Sequence, residues 1–434
     1  MHRLKNICKS DLLRNIRLWL AILVLIIFIL KISIIPYPWP EASPSECINL
    51  LPEGGKCGFI FDEAHYIPAV RKMLRGEAAN NEHPPLSKFL IMLGILVFGD
   101  NPYGWRIFIT LSGAVSIYLL GLIAHEFTKS NKLSFISALF FAFDLHSFNL
   151  SSMAMLDAPA LMFALLGALF FIRKRWIASG VALGLAMLSK TSAPFVLIAL
   201  LTYDLLEKAH EESDLRSCLK KWMPVLEKVG FVAAAVMLIG LAVYDYNYGA
   251  YATPFEHLDY MLDYHSSLTF SEEDLVYMPL TWTNPLYQFP RIPYFVISVE
   301  VDGEKYNPVA YYGMQTPLWW MTWLVVAFAL YSSYLRLKEG GFPRLELFIL
   351  CWFSFNYLVY FPFAHLLHRW VYPFYFYMTV PVIALGLPKI LEGDRISEAV
   401  LYALLIAQVA WFFLYFPVKP QWFIDFLLLV HAPV

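Results

Sequence analysis

Charged residues are scarce in this chain of 434 residues, since Asp, Glu, Lys and Arg together make up 15% of it. Soluble proteins carry about 25% of charged residues, and the mean hydropathy here is +0.57. An ordinary soluble domain is therefore excluded. The formal net charge is only −2, so bulk charge gives no reason to expect a nucleic-acid partner.

Cysteine is also rare, with five residues in the chain. Cys47 and Cys57 both fall in one predicted outer segment, where oxidising conditions permit a disulfide. Nothing in their spacing requires the bond, so the sequence leaves a bridge and two free thiols as alternatives.

Long apolar runs dominate what is present. The first run, residues 18–35, follows a basic N-terminus and precedes a proline-rich stretch instead of a signal-peptide cleavage site. We therefore predict a retained transmembrane helix with a cytoplasmic N-terminus. Further runs approach the roughly 20 residues that cross a bilayer. Together they predict an all-α polytopic membrane protein with about eleven transmembrane helices.

Composition divides the chain into three parts. Residues 1–206 are predicted to form a first transmembrane module with a large outer loop at 37–103. Residues 207–228 read as a cytoplasmic linker of mixed charge. Residues 229–434 form a second transmembrane module with a long outer loop at 248–312. Lys and Arg concentrate in the short segments assigned to the cytoplasm, which follows the positive-inside rule.

The first outer loop is predicted to contain interfacial helices. Residues 66–75 can form a short helix with Arg71 toward lipid headgroups and with Ile67 and Val70 toward lipid. Residues 86–98 are apolar but too short to span comfortably, so we expect an interfacial or re-entrant helix.

Asp62 and Glu63 stand together in this loop between apolar neighbours, Phe61 and Ala64. A solvated acidic pair is the ordinary explanation for loop carboxylates. Partly buried carboxylates are costly unless they are paired or have a function, and this apolar setting favours a functional pair.

The stretch 83–88 reads His-Pro-Pro-Leu-Ser-Lys. Two prolines restrict the backbone, which suits a loop that presents His83 and Lys88 in fixed directions. The alternative is a helix start with proline in its first turn, and both interpretations can hold together.

Four more residues are candidates because of their predicted place on the outer side. Asp157 lies before Pro159, an arrangement that also suits a helix cap. Arg106, Lys190 and Arg369 are cations at outer helix ends, against the usual charge bias, and such cations often have an anionic partner. Each alone could instead reach lipid headgroups, whereas three together favour an anion-binding patch.

No spacing of His, Cys, Asp or Glu identifies a metal site. Glu63, His65 and His83 could meet, with His257 or His265 joining them, but hydrogen-bonded histidines are the favoured state. No cofactor is predicted, and a divalent metal is left open.

In their order along the chain, these motifs resemble those of the protein O-mannosyltransferase family, within the type C glycosyltransferases that use polyprenyl-phosphate sugars. The residues that carry the resemblance are Asp62, Glu63, the stretch 83–88, Arg106, Asp157, Lys190 at the end of a Gly-rich stretch, and Arg369 before an aromatic stretch. The resemblance is ordered over residues 55–205 and topological beyond. The second outer loop is too short for the β-trefoil domain of eukaryotic members, so the chain resembles the compact prokaryotic ones.

The resemblance implies an inverting transfer of a sugar, mannose by analogy, from a dolichyl or polyprenyl phosphate to Ser/Thr hydroxyls at the outer membrane face. Asp62 and Glu63 would be the catalytic residues. The substrate-binding residues would be His83, Lys88, Arg106, Asp157, Lys190 and Arg369. The implied partners are a lipid-linked donor, a protein or glycan acceptor and membrane lipid, in a prokaryotic cell membrane in preference to the endoplasmic reticulum.

Two alternatives remain. Aminoarabinose transferases of lipid A share the architecture and use a lipid acceptor, although they usually have Lys where His83 stands. A transporter of lipid-linked sugars would place essential charges near the bilayer midplane in broken helices. The candidate residues of this sequence lie in loops and at helix ends, so we rank the transporter lower.

Overall fold

The structure is a computed structural model that describes residues 15–47, 56–270, 278–288 and 311–429. These residues form helices and one isolated β-bridge, between Thr269 and Arg369. The all-α prediction is confirmed. The predicted second outer loop, 248–312, is described only in part.

The helices are numbered here in chain order. They are α1 (Ile16–Ile34), α2 (Glu63–Met73), α3 (Leu86–Phe98), α4 (Pro102–Thr128), α5 (Asn131–Ala142), α6 (Leu145–Leu150), α7 (Asp157–Ile172), α8 (Trp176–Ser189), α9 (Pro194–Glu211), α10 (Leu215–Val225), α11 (Val232–Tyr248), α12 (Pro254–Ser267), α13 (Pro285–Gln288), α14 (Pro317–Trp320), α15 (Thr322–Lys338), α16 (Arg344–Phe353), α17 (Tyr360–His365), α18 (Val380–Ile390), α19 (Arg395–Leu414) and α20 (Gln421–Leu429). Short π and 3₁₀ turns complete them at Leu226–Phe231, Pro279–Thr283, Ser354–Leu358 and Pro373–Met378.

Five helical stretches in the described ranges are long and apolar enough to cross a membrane: α1, α4, Leu215–Tyr248, Arg344–His365 and α19. Five shorter apolar helices, α3, α5, α7, α8 and α18, accompany them. The chain is thus a multi-pass membrane protein, as predicted. The count of about eleven spans and the division into three parts stay predictions.

One predicted span is broken in two. The sequence predicts a single helix over 133–150, whereas α5 ends at Ala142 and α6 begins at Leu145. Asp144 lies at the break. Its side chain caps α6 by accepting from the backbone N–H of Ser147 at 2.9 Å. The same carboxylate accepts from Thr316 Oγ1 at 2.7 Å. A short polar side chain with local partners competes with helix propagation.

The predicted helix at 86–98 coincides with α3, which packs closely on α4. A Cβ at Gly94 would lie 2.0 Å from the carbonyl oxygen of Gly104, and Gly99 turns the chain with φ of 86°. No side chain fits between the two backbones, and so glycine is required at the crossing. The crossing fixes α3, and with it the 83–88 motif, against the long helix α4.

The helix predicted at 66–75 exists as α2, but its predicted orientation is wrong. Ile67 and Val70 are buried inside the protein and do not face lipid. Arg71 does not reach for headgroups; its Nε donates to Asp100 Oδ2 at 2.9 Å, and its Nη1 donates to the carbonyl oxygen of Cys47 at 3.1 Å. Cys47 is bonded to Cys57. The described part of the first outer loop is therefore a packed layer.

Candidate functional site

A cavity of about 690 Å³ lies where the first outer loop, the α8–α9 junction, α12 and the segment after α17 meet. Its polar lining residues include Asp62, His65, Glu82, His83, Lys190, His265 and Arg369. Most of the remaining lining is apolar, with Phe195, Met237, Leu258, Met261 and Phe363 among it. A cavity of this kind suits a ligand with a polar head and an apolar body.

Asp62 lines the cavity immediately before α2. Phe61 before it has φ of 52°, a left-handed conformation that bulky residues rarely adopt. The Tyr66 hydroxyl donates to Asp62 Oδ2 at 3.4 Å. Burial raises the pKa of Asp62, and the positive charge of Lys190 offsets part of that rise. Asp62 is thus a carboxylate that binds a proton more readily than an exposed aspartate.

Glu63 is placed differently, because its side chain is fully buried against Arg106. Arg106 Nε donates to Glu63 Oε1 at 2.8 Å, and Arg106 Nη2 donates to Oε2 at 2.6 Å. The backbone N–H groups of Ile60 and Ala154 donate to the same carboxylate. Carbonyl oxygens of Ile35, Tyr37 and Gly58 take the remaining guanidinium bonds.

The geometry therefore gives Glu63 and Arg106 a structural contact where the sequence predicted catalysis and substrate binding. Neither side chain lines the cavity. Their bidentate pair ties the start of α2 to α4, to the end of α1 and to the turn before α7. A fully desolvated charge needs such partners to be tolerated.

The 83–88 motif also acts largely on its own surroundings. Lys88 is buried, and its ammonium group donates to the carbonyl oxygens of Ala79, Asn80 and His83. The hydroxyl of Ser87 lies 3.2 Å from the carbonyl oxygen of Leu156. Lys88 therefore closes the loop that carries His83, where the sequence predicted a contact with substrate.

His83 lines the cavity. Its ring contacts those of Tyr66 and His265, with centroids 5.7 Å and 5.2 Å away. Its Nδ1 is buried without a hydrogen-bond partner among the described residues. Burial, with the nearby His265, lowers the pKa of His83 well below its usual range. The ring is therefore neutral at physiological pH.

Asp157 and Lys190 form a buried ion pair. Asp157 is the first residue of α7 but caps no helix, so the capping alternative is wrong. Lys190 directly follows α8 and lines the cavity, with its ammonium group 5.0 Å from the ring centroid of Phe374. Because the hydroxyl of Ser87 is also 3.3 Å from the carbonyl oxygen of Ser189, the motif contacts the segments that carry both charges.

Arg369 lies on the segment after α17 and lines the cavity. Its guanidinium donates to the carbonyl oxygen of His265 at 2.8 Å and to His265 Nδ1 at 3.2 Å. Among the described residues no carboxylate pairs with Arg369, whereas Lys190 and Arg106 each have one. Of the three predicted cations, Arg369 is therefore the one that keeps its charge unneutralised at the cavity.

His265 is a cavity residue that the sequence did not assign to the site. It entered only as one of several conceivable metal ligands, because α12 falls in the long second outer loop and no motif surrounds it. Across the described ranges, no three His, Cys, Asp or Glu side chains are close enough to hold a metal ion. The other histidine considered from α12, His257, has partners of its own. Its Nδ1 lies 2.8 Å from Asp245 Oδ1, and its Nε2 lies 2.9 Å from the carbonyl oxygen of Asn81.

The architecture is shared with solved membrane glycosyltransferases. The protein O-mannosyltransferase Pmt1–Pmt2 complex of S. cerevisiae, bound to the sugar donor, superposes with a TM-score of 0.69 over 94% of this chain and 91% of that chain at 12% identity. ArnT from Cupriavidus metallidurans, bound to undecaprenyl phosphate, gives 0.54 over 89% of this chain and 62% of that one at 14% identity. The chain therefore shares the fold of these two membrane enzymes.

Sequence comparison finds similarity to one family over part of the chain. The family model of dolichyl-phosphate-mannose-protein mannosyltransferases matches residues 82–242. A polyprenol-phosphate-mannose–protein mannosyltransferase of Mycolicibacterium smegmatis is 34% identical over 112 residues, 24% of this chain. A relative with the same name from Corynebacterium glutamicum is 36% identical over 93 residues, 18% of this chain. The matched segments span 22% and 18% of those relatives. The predicted resemblance to protein O-mannosyltransferases is confirmed.

The buried pair predicts a large effect on stability. Replacing Arg106 with Met leaves Glu63 buried without its counter-charge, which costs about 3–5 kcal/mol for such pairs. Thermal unfolding of the detergent-solubilised protein should show a clear drop in Tm. Arg75→Met, which breaks an exposed pair with Glu77, should change Tm little. Equal Tm values for Arg106→Met and the wild type would contradict the structural role.

Proposed function

We propose that this protein is an inverting mannosyltransferase of the outer membrane face. It transfers mannose from a polyprenyl or dolichyl phosphate to Ser/Thr hydroxyls of proteins. The observation that carries the proposal is the cavity in which Asp62 lies together with Lys190 and Arg369, beside a large apolar lining. A phosphosugar on a lipid tail has the matching chemistry, since it combines an anionic head with an apolar chain.

The reaction needs a base and a stabilised leaving group. Asp62 takes the proton of the acceptor hydroxyl, whose oxygen attacks the anomeric carbon of the sugar. The bond from that carbon to the phosphate oxygen breaks, and the phosphate leaves with the electron pair and inversion at carbon. The leaving group is already acidic, so it needs charge stabilisation more than a proton.

Arg369 is the main phosphate ligand in this mechanism, because its charge is not neutralised by a described carboxylate. Lys190 contributes less, since it shares its charge with Asp157. Asp157 holds Lys190 in place, and His83 lies beside Tyr66 and orients the sugar. Glu63, Lys88 and Arg106 support this arrangement from outside the cavity.

The relatives give the proposal its setting. They are named polyprenol-phosphate-mannose–protein mannosyltransferases and come from actinobacteria. We therefore assign the chain to a prokaryotic cell membrane, with the N-terminus in the cytoplasm and the cavity on the opposite side. In the three-part division predicted from composition, residues 1–206 are the catalytic module that carries Asp62, and residues 229–434 add Arg369 to its cavity.

The most direct test supplies membranes containing the protein with radiolabelled dolichyl-phosphate-mannose and follows the label. The label should appear in protein, and chemical cleavage of O-linked sugars should release it. Label that enters lipid or free glycan would show a different acceptor, and label that stays in the donor would overturn the proposal.

Asp62→Asn should abolish this transfer while leaving insertion and donor binding intact. A general base contributes about 10²–10⁴-fold to rate, and an amide cannot accept the proton. Asp259→Asn, which changes an exposed carboxylate on α12 outside the cavity, is the matched control and should transfer at the wild-type rate. An active Asp62→Asn enzyme would remove Asp62 from the mechanism.

The burial of Asp62 predicts that kcat declines on acidification at a higher pH than it would with an exposed aspartate as the base. Because burial raises the pKa of Asp62, the carboxylate is protonated, and lost as a base, at a higher pH than the roughly 3.9 of a free aspartate. The kcat for transfer should therefore fall on acidification while the pH is still above that value. A kcat that is flat down to the ordinary aspartate range would contradict the assignment.

Arg369→Met should weaken donor binding. A hydrogen bond to a charged group contributes about 1.5–3 kcal/mol, so the KM for donor should rise about ten-fold or more with a smaller change in kcat. Arg173→Met alters a cation that pairs with Glu126 outside the cavity, and its donor KM should match the wild type. An unchanged donor KM in Arg369→Met would refute the phosphate contact.

A further inference from the structure

The segment that carries Arg369 is attached to the end of α12. The backbone N–H of Phe270 donates to the carbonyl oxygen of His368 at 2.9 Å, and that of Trp370 donates to the carbonyl oxygen of Leu268 at 2.9 Å. These bonds flank the bridge between Thr269 and Arg369. The position of the Arg369 backbone is thus set by the residues that follow α12, which are distant in sequence.

The side chain of Arg369 is held by a single residue of α12. His265 accepts twice from the guanidinium, once through its backbone oxygen from Nε at 2.8 Å and once through ring Nδ1 from Nη2 at 3.2 Å. A third bond, from Nη1 to the carbonyl oxygen of Trp370, is long at 3.4 Å. His265 therefore fixes the plane of the guanidinium, and the N–H groups not used in these bonds remain for a ligand.

The partners of the imidazole define its tautomer. A guanidinium only donates, so Nδ1 must carry the lone pair, while Nε2 must carry the proton that it donates to the carbonyl oxygen of Glu82 at 2.9 Å. Burial, with the neighbouring Arg369, lowers the pKa of His265 to about 4, so the ring is neutral at physiological pH. Its two nitrogens have opposite hydrogen-bonding roles.

The same ring reaches the first outer loop. Nε2 bonds to Glu82, and the ring lies against His83 with centroids 5.2 Å apart. His83 in turn contacts Tyr66, whose hydroxyl bonds to Asp62. An unbroken series of contacts thus connects the proposed base at one end to the unneutralised cation at the other, and His265 is the only member from α12.

From these contacts we propose that His265 is a positioning residue that aims Arg369 at the phosphate of the lipid-linked donor and sets its distance from the loop of His83. This role rests on the proposed function. His265 acts through Arg369 and touches no reacting atom. Its Nδ1 orients the guanidinium, and its Nε2 anchors the pair to the backbone of the loop.

Two substitutions separate the roles of the nitrogens. His265→Gln places an amide near Nε2 and keeps a donor for Glu82, but it loses the acceptor at Nδ1. His265→Asn places its oxygen near Nδ1 and keeps the acceptor for Arg369. Kinetic constants for donor and equilibrium binding of dolichyl phosphate to the purified full-length chain in detergent provide the readouts.

His265→Gln should raise the donor KM and the Kd for dolichyl phosphate about ten-fold, the size of one hydrogen bond to a charged group, while kcat stays near the wild-type value. His265→Asn should recover most of the lost affinity. His365→Gln, which changes an exposed histidine outside the cavity, should behave like the wild type.

A double-mutant cycle shows whether His265 acts through Arg369. In an Arg369→Met background, His265→Gln should cause no further loss of dolichyl phosphate binding, because the group that it positions is gone. Additive losses, or equal losses for the Gln and Asn variants, would overturn the positioning role. If the wild-type chain binds no dolichyl phosphate, the proposed function itself is refuted and this inference with it.

Discussion

Burying Glu63 and Arg106 together removes two charges from water, and their bidentate contact compensates only because every other bonding position is also filled. Backbone groups from the end of α1, the turn before α2 and the turn before α7 complete the cluster. Removing either charge would leave its partner unpaired in an apolar setting. The first outer loop is therefore fastened to the bundle at the residue that directly follows Asp62.

That fastening determines which carboxylate faces the cavity. Adjacent side chains on a helix start point in different directions, so anchoring Glu63 inward leaves Asp62 on the cavity side. The left-handed backbone of Phe61 completes the turn. Such strain is tolerated where the surroundings over-determine the conformation, and the buried pair supplies that constraint.

The positive charges in and around the cavity are unevenly neutralised. Arg106 is neutralised by Glu63, Lys190 by Asp157, and Lys88 donates to three carbonyl oxygens. Arg369 alone among these keeps its charge without a described carboxylate. An anionic ligand would thus be attracted to the side of the cavity where Arg369 lies. In the proposed transfer, this asymmetry would give the departing phosphate a defined direction.

The sequence by itself determined the class of fold, the position of the outer loop and the residue types of the site. A sequence of low charge with recurring apolar runs is compatible with few folds other than a helical membrane protein. Carboxylates in an apolar loop are conspicuous in such a sequence because their burial is costly. Only the tertiary structure decided which of those residues face the cavity. Whether Arg106 or Arg369 is neutralised depends on a carboxylate that approaches from elsewhere in the chain. His265 joins the site because the segment after α12 pairs with the segment of Arg369, about a hundred residues away in sequence. Periodicity and spacing predict contacts between residues that are near in sequence, whereas the partners of Arg106 and Arg369 are far from them in sequence.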